Sequence, residues 1–245
     1  MSRFVDPNLD PSALEDATPD EVLRWSAESI DRLAVATSFQ ASGLVILHKL
    51  RTIRGDLPVL FLDTGFHFTE TLEFKQRITE LWDLKVVDLH GPHGNVVKQA
   101  EIYGPELYKR DPDACCAINK VKPLQAALEE YDAWISGLRR DQSPLRAETP
   151  LIEAQLLPSG NEIMKIHPLA RWNKADVDAY IAEHSIPTHP LFERGYMSIG
   201  CWPCTRAVGA NEQERDGRWS GLTKTECGIH SFGKPHGPRE SEAEQ

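Results

Sequence analysis

Short apolar runs alternate with stretches of helical spacing, and this alternation narrows the available folds more than any other feature of the chain. Residues 33–37 (LAVAT) read as a short buried strand, 59–62 (VLFL) as a second, apolar strand, and 85–89 (KVVDL) and 133–136 (AWIS) as a third and a fourth. Residues 44–51, 69–82, 95–103 and 119–131 carry apolar side chains at helical spacing. A first helix is expected from Thr18 to about Ile30, because Thr18-Pro-Asp-Glu21 has the capping-box pattern with Pro19 at the first helical position. Residues 163–166 read as a fifth strand and 174–184 as a further helix. Near-continuous apolar strands separated by helices imply an α/β fold, a parallel sheet with helices on both faces.

In such sheets ligands bind beyond the carboxyl ends of the strands. Three distinctive loops each follow a strand directly: SFQASG from Ser38, LDTG from Leu62, and GLRRDQS from Gly137. They are expected to converge on one crevice. The first offers hydroxyls and backbone N–H groups at a helix N-terminus, which suits an anion. The second brings a carboxylate and a glycine. The third brings two guanidiniums, whose planar forks match phosphate and sulfate oxygens.

The 245 residues suffice for one large domain whose core needs no disulfides. A net charge of −10 argues against a general nucleic-acid binder. The first twenty residues are acidic and polar, without the apolar stretch of a signal peptide, and no apolar run is long enough to span a bilayer. A cytoplasmic location is therefore expected, where thiols stay reduced. This bears on the five cysteines: adjacent Cys115 and Cys116, the CWPC pair Cys201 and Cys204, and a separate Cys227. Lone cysteines are often small buried hydrophobes. An adjacent pair plus a CxxC instead suggests a four-thiolate metal site, either zinc or an iron–sulfur cluster. Neighbouring Cα atoms are about 3.8 Å apart, so a Cys-Cys pair reaches one small ion only with strain, whereas a cluster offers separate iron atoms.

The motifs SFQASG, FLDTGFHF, CCAINKVKPL, SGLRRDQSP, KIHPLARW, CWPCTR, RDGRW and KTECGIH occur in that order. By them the chain resembles the thioredoxin-dependent adenylyl-sulfate reductases of the phosphoadenylyl-sulfate reductase family. The resemblance implies an adenine-nucleotide α-hydrolase-like sheet and reduction of adenosine 5′-phosphosulfate to sulfite and AMP, in sulfate assimilation. It implies a [4Fe–4S] cluster on Cys115, Cys116, Cys201 and Cys204, with Cys227 as nucleophile. Ser38, Phe39, Gln40 and Ser42, then Leu62, Asp63, Thr64 and Gly65, then Gly137, Arg139 and Arg140 would contact the nucleotide. Lys120, Arg215, Arg218 and His230 would face the phosphosulfate. The partners implied are the sulfonucleotide and thioredoxin or a glutaredoxin-like reductant, with no nucleic acid and no membrane; a homo-oligomer is compatible with the sequence. Related ATP pyrophosphatases carry SGGKDS in the first loop. SFQASG lacks that lysine and aspartate, which fits a substrate that is already activated.

The expected chemistry is attack of the Cys227 thiolate on the sulfate sulfur with AMP leaving, then thiol attack on the S-sulfonate to expel sulfite. Lys224 and His230 are the local cations that would favour a thiolate, with a hydrogen bond to the substrate as the equal alternative for His230. The division expected is a leader over 1–17, a nucleotide-binding domain with the iron–sulfur site over 18–210, and a mobile C-terminal segment over 211–245 carrying Cys227. Two rivals differ in kind. A sulfur-inserting enzyme acting on tRNA conflicts with the acidic balance and the first loop. A redox sensor needs an output surface that the sequence does not present.

Overall fold

The computed structural model describes residues 14–93, 95–222, 224–230 and 232. Most of the expected leader lies outside these residues, as do Gly233 and Gly237 of the segment expected to be mobile.

Six strands form one sheet in the order β3-β2-β1-β4-β6-β5: β1 (Leu33–Ala36), β2 (Pro58–Asp63), β3 (Lys85–His90), β4 (Ala133–Ser136), β5 (Ile152–Leu156) and β6 (Glu162–Ile166). All neighbours are parallel except β5, which pairs antiparallel with β6 at the edge. The sheet is thus mostly rather than wholly parallel. Strand β5 escapes the sequence pattern because IEAQL mixes charge, amide and apolar side chains on a half-covered edge. The Ser159-Gly160-Asn161 turn between β5 and β6 was the available hairpin signal.

The pleat sorts side chains to two faces. Leu33, Val35, Val59, Phe61, Ala133, Ile135 and Ile166 meet helices α1 (Pro19–Ser29), α2 (Ala41–Arg54), α3 (Thr69–Trp82) and α8 (Lys174–Glu183) in the larger core. Ala34, Leu60, Trp134 and Ile163 face the other way, against Leu124 and Leu128 of α7 (Lys122–Leu128). Each leucine fully buried there contributes about 1.5–3 kcal/mol. Ile229 and Phe232, beyond Cys227, pack on this second core. Helix α1 starts as expected, with Thr18 and Glu21 capping each other.

Helices α4 (Val96–Tyr103), α5 (Leu107–Arg110) and α6 (Pro112–Cys116) lead from β3 to the cysteine pair. The single helix expected over 119–131 is divided. A π-helical turn, Ala117–Val121, precedes α7. Pro123 has no N–H to donate, so regular i→i−4 bonding is interrupted there. Such turns frequently mark functional sites.

Candidate functional site

Strand β1 lies between β2 and β4, so consecutive units wind outward in opposite directions. A crevice opens beyond the carboxyl ends at that reversal. A cavity of about 210 Å³ occupies it, lined by the β1 loop and the start of α2, by Leu60, Phe61, Leu62 and His67, by Ser136–Arg139 after β4, and by Met197–Cys201. Lys120, Leu124, Trp134, Gln142, Arg146, Phe192, Glu214, Arg215, Arg218, Trp219, Cys227, Ile229 and His230 complete it.

The β1 loop is shaped by Phe39. Its backbone is left-handed, with φ 55°. This region is uncommon for a bulky residue and is held by its surroundings. The ring is fully buried, edge-on to Phe61 with centroids 5.9 Å apart. Phe39 is therefore a core anchor rather than a cavity wall, and it turns Ser38 and Gln40 to either side. The Gln40 amide donates to the Ile199 carbonyl and accepts from the Ile199 N–H, both at 2.7 Å. That clamp fastens the loop leading to Cys201 onto the β1 loop. Helix α2 starts without a side-chain cap, leaving first-turn N–H groups at the cavity. A Cβ on Gly137 would stand 3.1 Å from the Gly43 nitrogen and 3.2 Å from the Ser42 Cβ, so the β4 loop approaches α2 closely because residue 137 is glycine.

The basic residues named from the sequence divide sharply. Arg139 reaches the cavity, but its guanidinium is engaged by Asp141 at 2.8 Å, Glu214 at 3.1 Å and the Ser42 hydroxyl at 2.6 Å. It braces the loops. Arg140 points away, donating to the Thr149 carbonyl and to Glu15, both at 2.7 Å. Arg218 lies over the Trp219 ring at 4.6 Å, and its Nε is buried without a partner. Arg146, one of the basic residues near the cysteine segments but not among the site residues expected from the sequence, lines the cavity and binds Glu226.

From the LDTG loop only Leu62 lines the large cavity. The Asp63 carboxylate accepts from the Gly65 N–H at 3.0 Å and lies 3.8 Å from the His90 ring. Gly65 turns with φ 72°. Thr64 faces the cysteines instead, its hydroxyl 3.3 Å from the Cys201 sulfur.

Cys115, Cys116, Cys201 and Cys204 line one small adjoining cavity with Thr64, Phe66, Tyr108, Asn119 and Lys120. Three of these cysteines are buried and Cys204 half-buried. The Cys115 sulfur has the Asn119 and Gln99 amides at 3.6 Å and 3.9 Å. Burial pushes the thiols of Cys116 and Cys204 up to about 11. Among the described residues no three His, Cys, Asp or Glu side chains form a ready ion-binding group.

Lys120 lines both cavities. Burial opposes its charge, but the electrostatic pull of the Cys201, Cys116 and Cys227 sulfurs outweighs that penalty and raises its pKa. Cys227 is brought alongside by Gly228, which has φ 80° and whose added Cβ would lie 3.2 Å from Val121 of the π-helical turn. Lys224 is largely buried, paired with Asp113 and 5.7 Å from the Trp219 ring centroid. His230 is no cation at neutral pH: burial, then the charge of Lys165, holds it well below the ordinary histidine range. Its Nδ1 has no partner. Of the five buried side-chain polar atoms without partners among the described residues, four belong to cavity residues His67, Arg218, Trp219 and His230. Buried polar groups are rarely left unpaired, so this cluster marks a place for a polar ligand.

Comparison with known proteins accords with this geometry. Residues 32–207 match the phosphoadenosine phosphosulfate reductase domain. A relative from Streptomyces coelicolor, adenosine 5′-phosphosulfate reductase, is 45% identical over 218 residues, covering 89% of this chain and 90% of its own. The crystal structure of the phosphoadenylyl-sulfate reductase from Candida auris in a phosphate complex superposes with a TM-score of 0.71 at 29% identity, covering 85% of this chain and all of that one. The FMN adenylyltransferase of Candida glabrata with FAD and pyrophosphate shares the fold alone, at TM-score 0.56 and 14% identity, over 91% of this chain and 81% of its own. The sheet is of the adenine-nucleotide α-hydrolase-like kind, and the chain belongs to the phosphoadenosine phosphosulfate reductase domain family.

Proposed function

We propose that this protein reduces adenosine 5′-phosphosulfate to sulfite and AMP through Cys227, in sulfate assimilation, with thioredoxin or a similar dithiol protein as reductant. The observation that carries the reading is a free thiol, Cys227, in one cavity with Lys120, Arg215 and Arg218, where buried polar atoms await a ligand. The sulfonucleotide relatives supply the substrate class. Apolar Leu60, Leu124 and Trp134 offer a surface for the adenine, and the α2 N-terminus and the arginines suit the phosphosulfate oxygens.

In the first step the Cys227 thiolate attacks the sulfate sulfur. A sulfur–sulfur bond forms, the bridging sulfur–oxygen bond breaks, and AMP leaves with the electron pair. Lys120, Arg215 and Arg218 reduce repulsion between the anions and stabilise charge developing on the phosphate. Neutral His230 offers a hydrogen bond from a site that needs one. In the second step a reductant thiolate attacks the Cys227 sulfur and expels sulfite. Its second thiol then resolves the mixed disulfide, so a dithiol becomes a disulfide and sulfur is reduced by two electrons.

The four cysteines of the smaller cavity suit a [4Fe–4S] cluster by donor chemistry: all are thiols, they share one pocket, and amide groups approach one sulfur. When bound, such a cluster supplies ligated thiolates of fixed charge beside Lys120 and ionises thiols that burial otherwise keeps protonated.

The test is Cys227→Ser, purified without oxygen and assayed with both the 3′-hydroxyl and the 3′-phosphate nucleotide. Nucleotide binding, iron and acid-labile sulfide should match the parent, while sulfite release and the S-sulfonate adduct seen by mass spectrometry disappear. Continued sulfite release would remove Cys227 from the mechanism.

A further inference from the structure

The residue immediately before Cys227 is held by arginines of the cavity itself. Arg146 grips the Glu226 carboxylate with two bonds, Nε to Oε1 at 2.9 Å and Nη2 to Oε2 at 2.8 Å. Arg215 adds Nη2 to the same Oε2 at 3.1 Å and also donates to the Thr225 carbonyl at 3.0 Å. The side chains are 8%, 16% and 19% exposed for Arg146, Arg215 and Glu226, so water screens these contacts little. Arg146 and Arg215 have no other carboxylate partner among the described residues. Arg139, by contrast, is taken by Asp141 and Glu214.

The two arginines are held differently. Arg146 makes the bidentate fork, which fixes direction as well as distance. Arg215 makes one bond to the carboxylate, and it faces the cavity. Beyond Cys227, the segment is fastened by other means: Lys165 donates to the His230 carbonyl at 3.3 Å and Gln155 to the Phe232 carbonyl at 3.2 Å. Glu226 is therefore an anchor on the near side of the thiol, built from groups that also face the ligand space.

We propose that Glu226 is a positioning residue with a second role as an internal competitor for the anion site. Through Arg146 it seats Cys227 over the cavity, and through Arg215 it offsets positive charge that an anionic nucleotide would otherwise use. The seating role stands on the contacts alone; the competition rests on the function proposed above. Replacing the carboxylate by an amide should loosen the thiol while tightening nucleotide binding. Loss of an ordinary structural contact would not produce that pair of opposite effects.

The experiment compares the iron-matched parent with Glu226→Gln, Arg146→Gln and the double variant. Peptide-resolved mass spectrometry follows alkylation of Cys227 by iodoacetamide, and calorimetry follows AMP binding. Glu226→Gln should speed alkylation about tenfold, the factor for 1.4 kcal/mol, close to the lower end of what a hydrogen bond to a charged group contributes. Arg146→Gln should speed it similarly, and the double variant should add little. AMP should bind Glu226→Gln severalfold more tightly, and single-turnover sulfonation of Cys227 should slow. Glu226→Asp, which keeps the charge, should retain part of the protection and reports on seating if the amide variant folds poorly. Alkylation within twofold of the parent in both Glu226 variants overturns the seating role. Unchanged or weaker AMP binding by Glu226→Gln overturns the competition. A parent that binds no AMP and no sulfonucleotide overturns the competition by overturning the proposed function, and leaves the alkylation result to judge the seating.

Discussion

Removing the Glu153 carboxylate should cost this protein about 3 kcal/mol at neutral pH. Glu153 on β5 stands directly across from Lys165 on β6, with 2.9 Å between Oε1 and Nζ. Lys165 is fully buried, its ammonium 5.1 Å from the Trp134 ring centroid. His167 lies 3.2 Å from the same carboxylate oxygen, and its other ring nitrogen is 3.1 Å from the Ser136 hydroxyl. Burial by itself would push the Glu153 carboxyl up. The hydrogen bond from His167 and the charge of Lys165 overcome that and bring it from 4.5 to about 2. At 1.36 kcal/mol per pH unit, that depression corresponds to about 3 kcal/mol, the lower end of the loss expected when one partner of a buried pair is removed. A carboxylate depressed in the folded state contributes fully above its unfolded value. The contribution is lost as pH falls from 4.5 toward 2. Urea unfolding of Glu153→Gln should show the loss at pH 7 and a shallower fall below pH 4.5. Glu153→Leu with Lys165→Leu should recover much of the stability, since no buried charge is then left behind. A single variant that loses under about 1 kcal/mol, or a double variant no better than the single, would refute this account.

Two further outcomes follow from the packing around the site. The buried His189 ring accepts from the Leu191 N–H at 3.2 Å and lies 3.0 Å from the Thr71 hydroxyl, and burial lowers it to about 4. A histidine held neutral stabilises above its unfolded value of 6.5, and that contribution is lost as pH falls toward about 4. The stability difference between pH 7.5 and 4.5 should therefore shrink by up to about 3 kcal/mol in His189→Gln; an unchanged difference would exclude this ring as the titrating group. Gly217 of the RDGRW motif lies where an added Cβ would stand 2.3 Å from the Arg206 carbonyl oxygen. Gly217→Ala must part the strand-like contact between Thr205 and Arg218, so a loss of about 1–3 kcal/mol is expected in urea unfolding, with weaker AMP binding by calorimetry as Arg218 shifts. Unaltered stability and affinity would mean that the two loops are not held at this distance.

The local pattern of this chain was sufficient for its layered plan. The apolar runs that became β1, β2 and β4 are short and continuous, as covered strands are, whereas β3 lies largely exposed at the edge of the sheet. Three loops that follow strands had to meet at one end of a parallel sheet, and β1 and β4 do deliver theirs to a shared cavity. No membrane-spanning candidate appears among the described helices. The pairing of CC with CxxC pointed to one thiol pocket, and the four side chains do line one.

What the sequence did not carry is the direction of each charged side chain. Arg139 and Arg140 are adjacent and chemically alike, yet one braces Asp141 and Glu214 while the other reaches Glu15. Their partners lie up to 125 positions away, so no window along the chain contains the choice. Arg146 and Glu226 are 80 positions apart and become a clamp only when the C-terminal segment lies across α7 and the hairpin. Family resemblance puts Phe39 at the nucleotide, and its left-handed backbone turns the ring into the core instead. Periodicity and turn chemistry are local properties, readable from residue types in order. Which guanidinium is free to bind an anion depends on long-range partners competing for it, and only the folded packing brings those partners within reach.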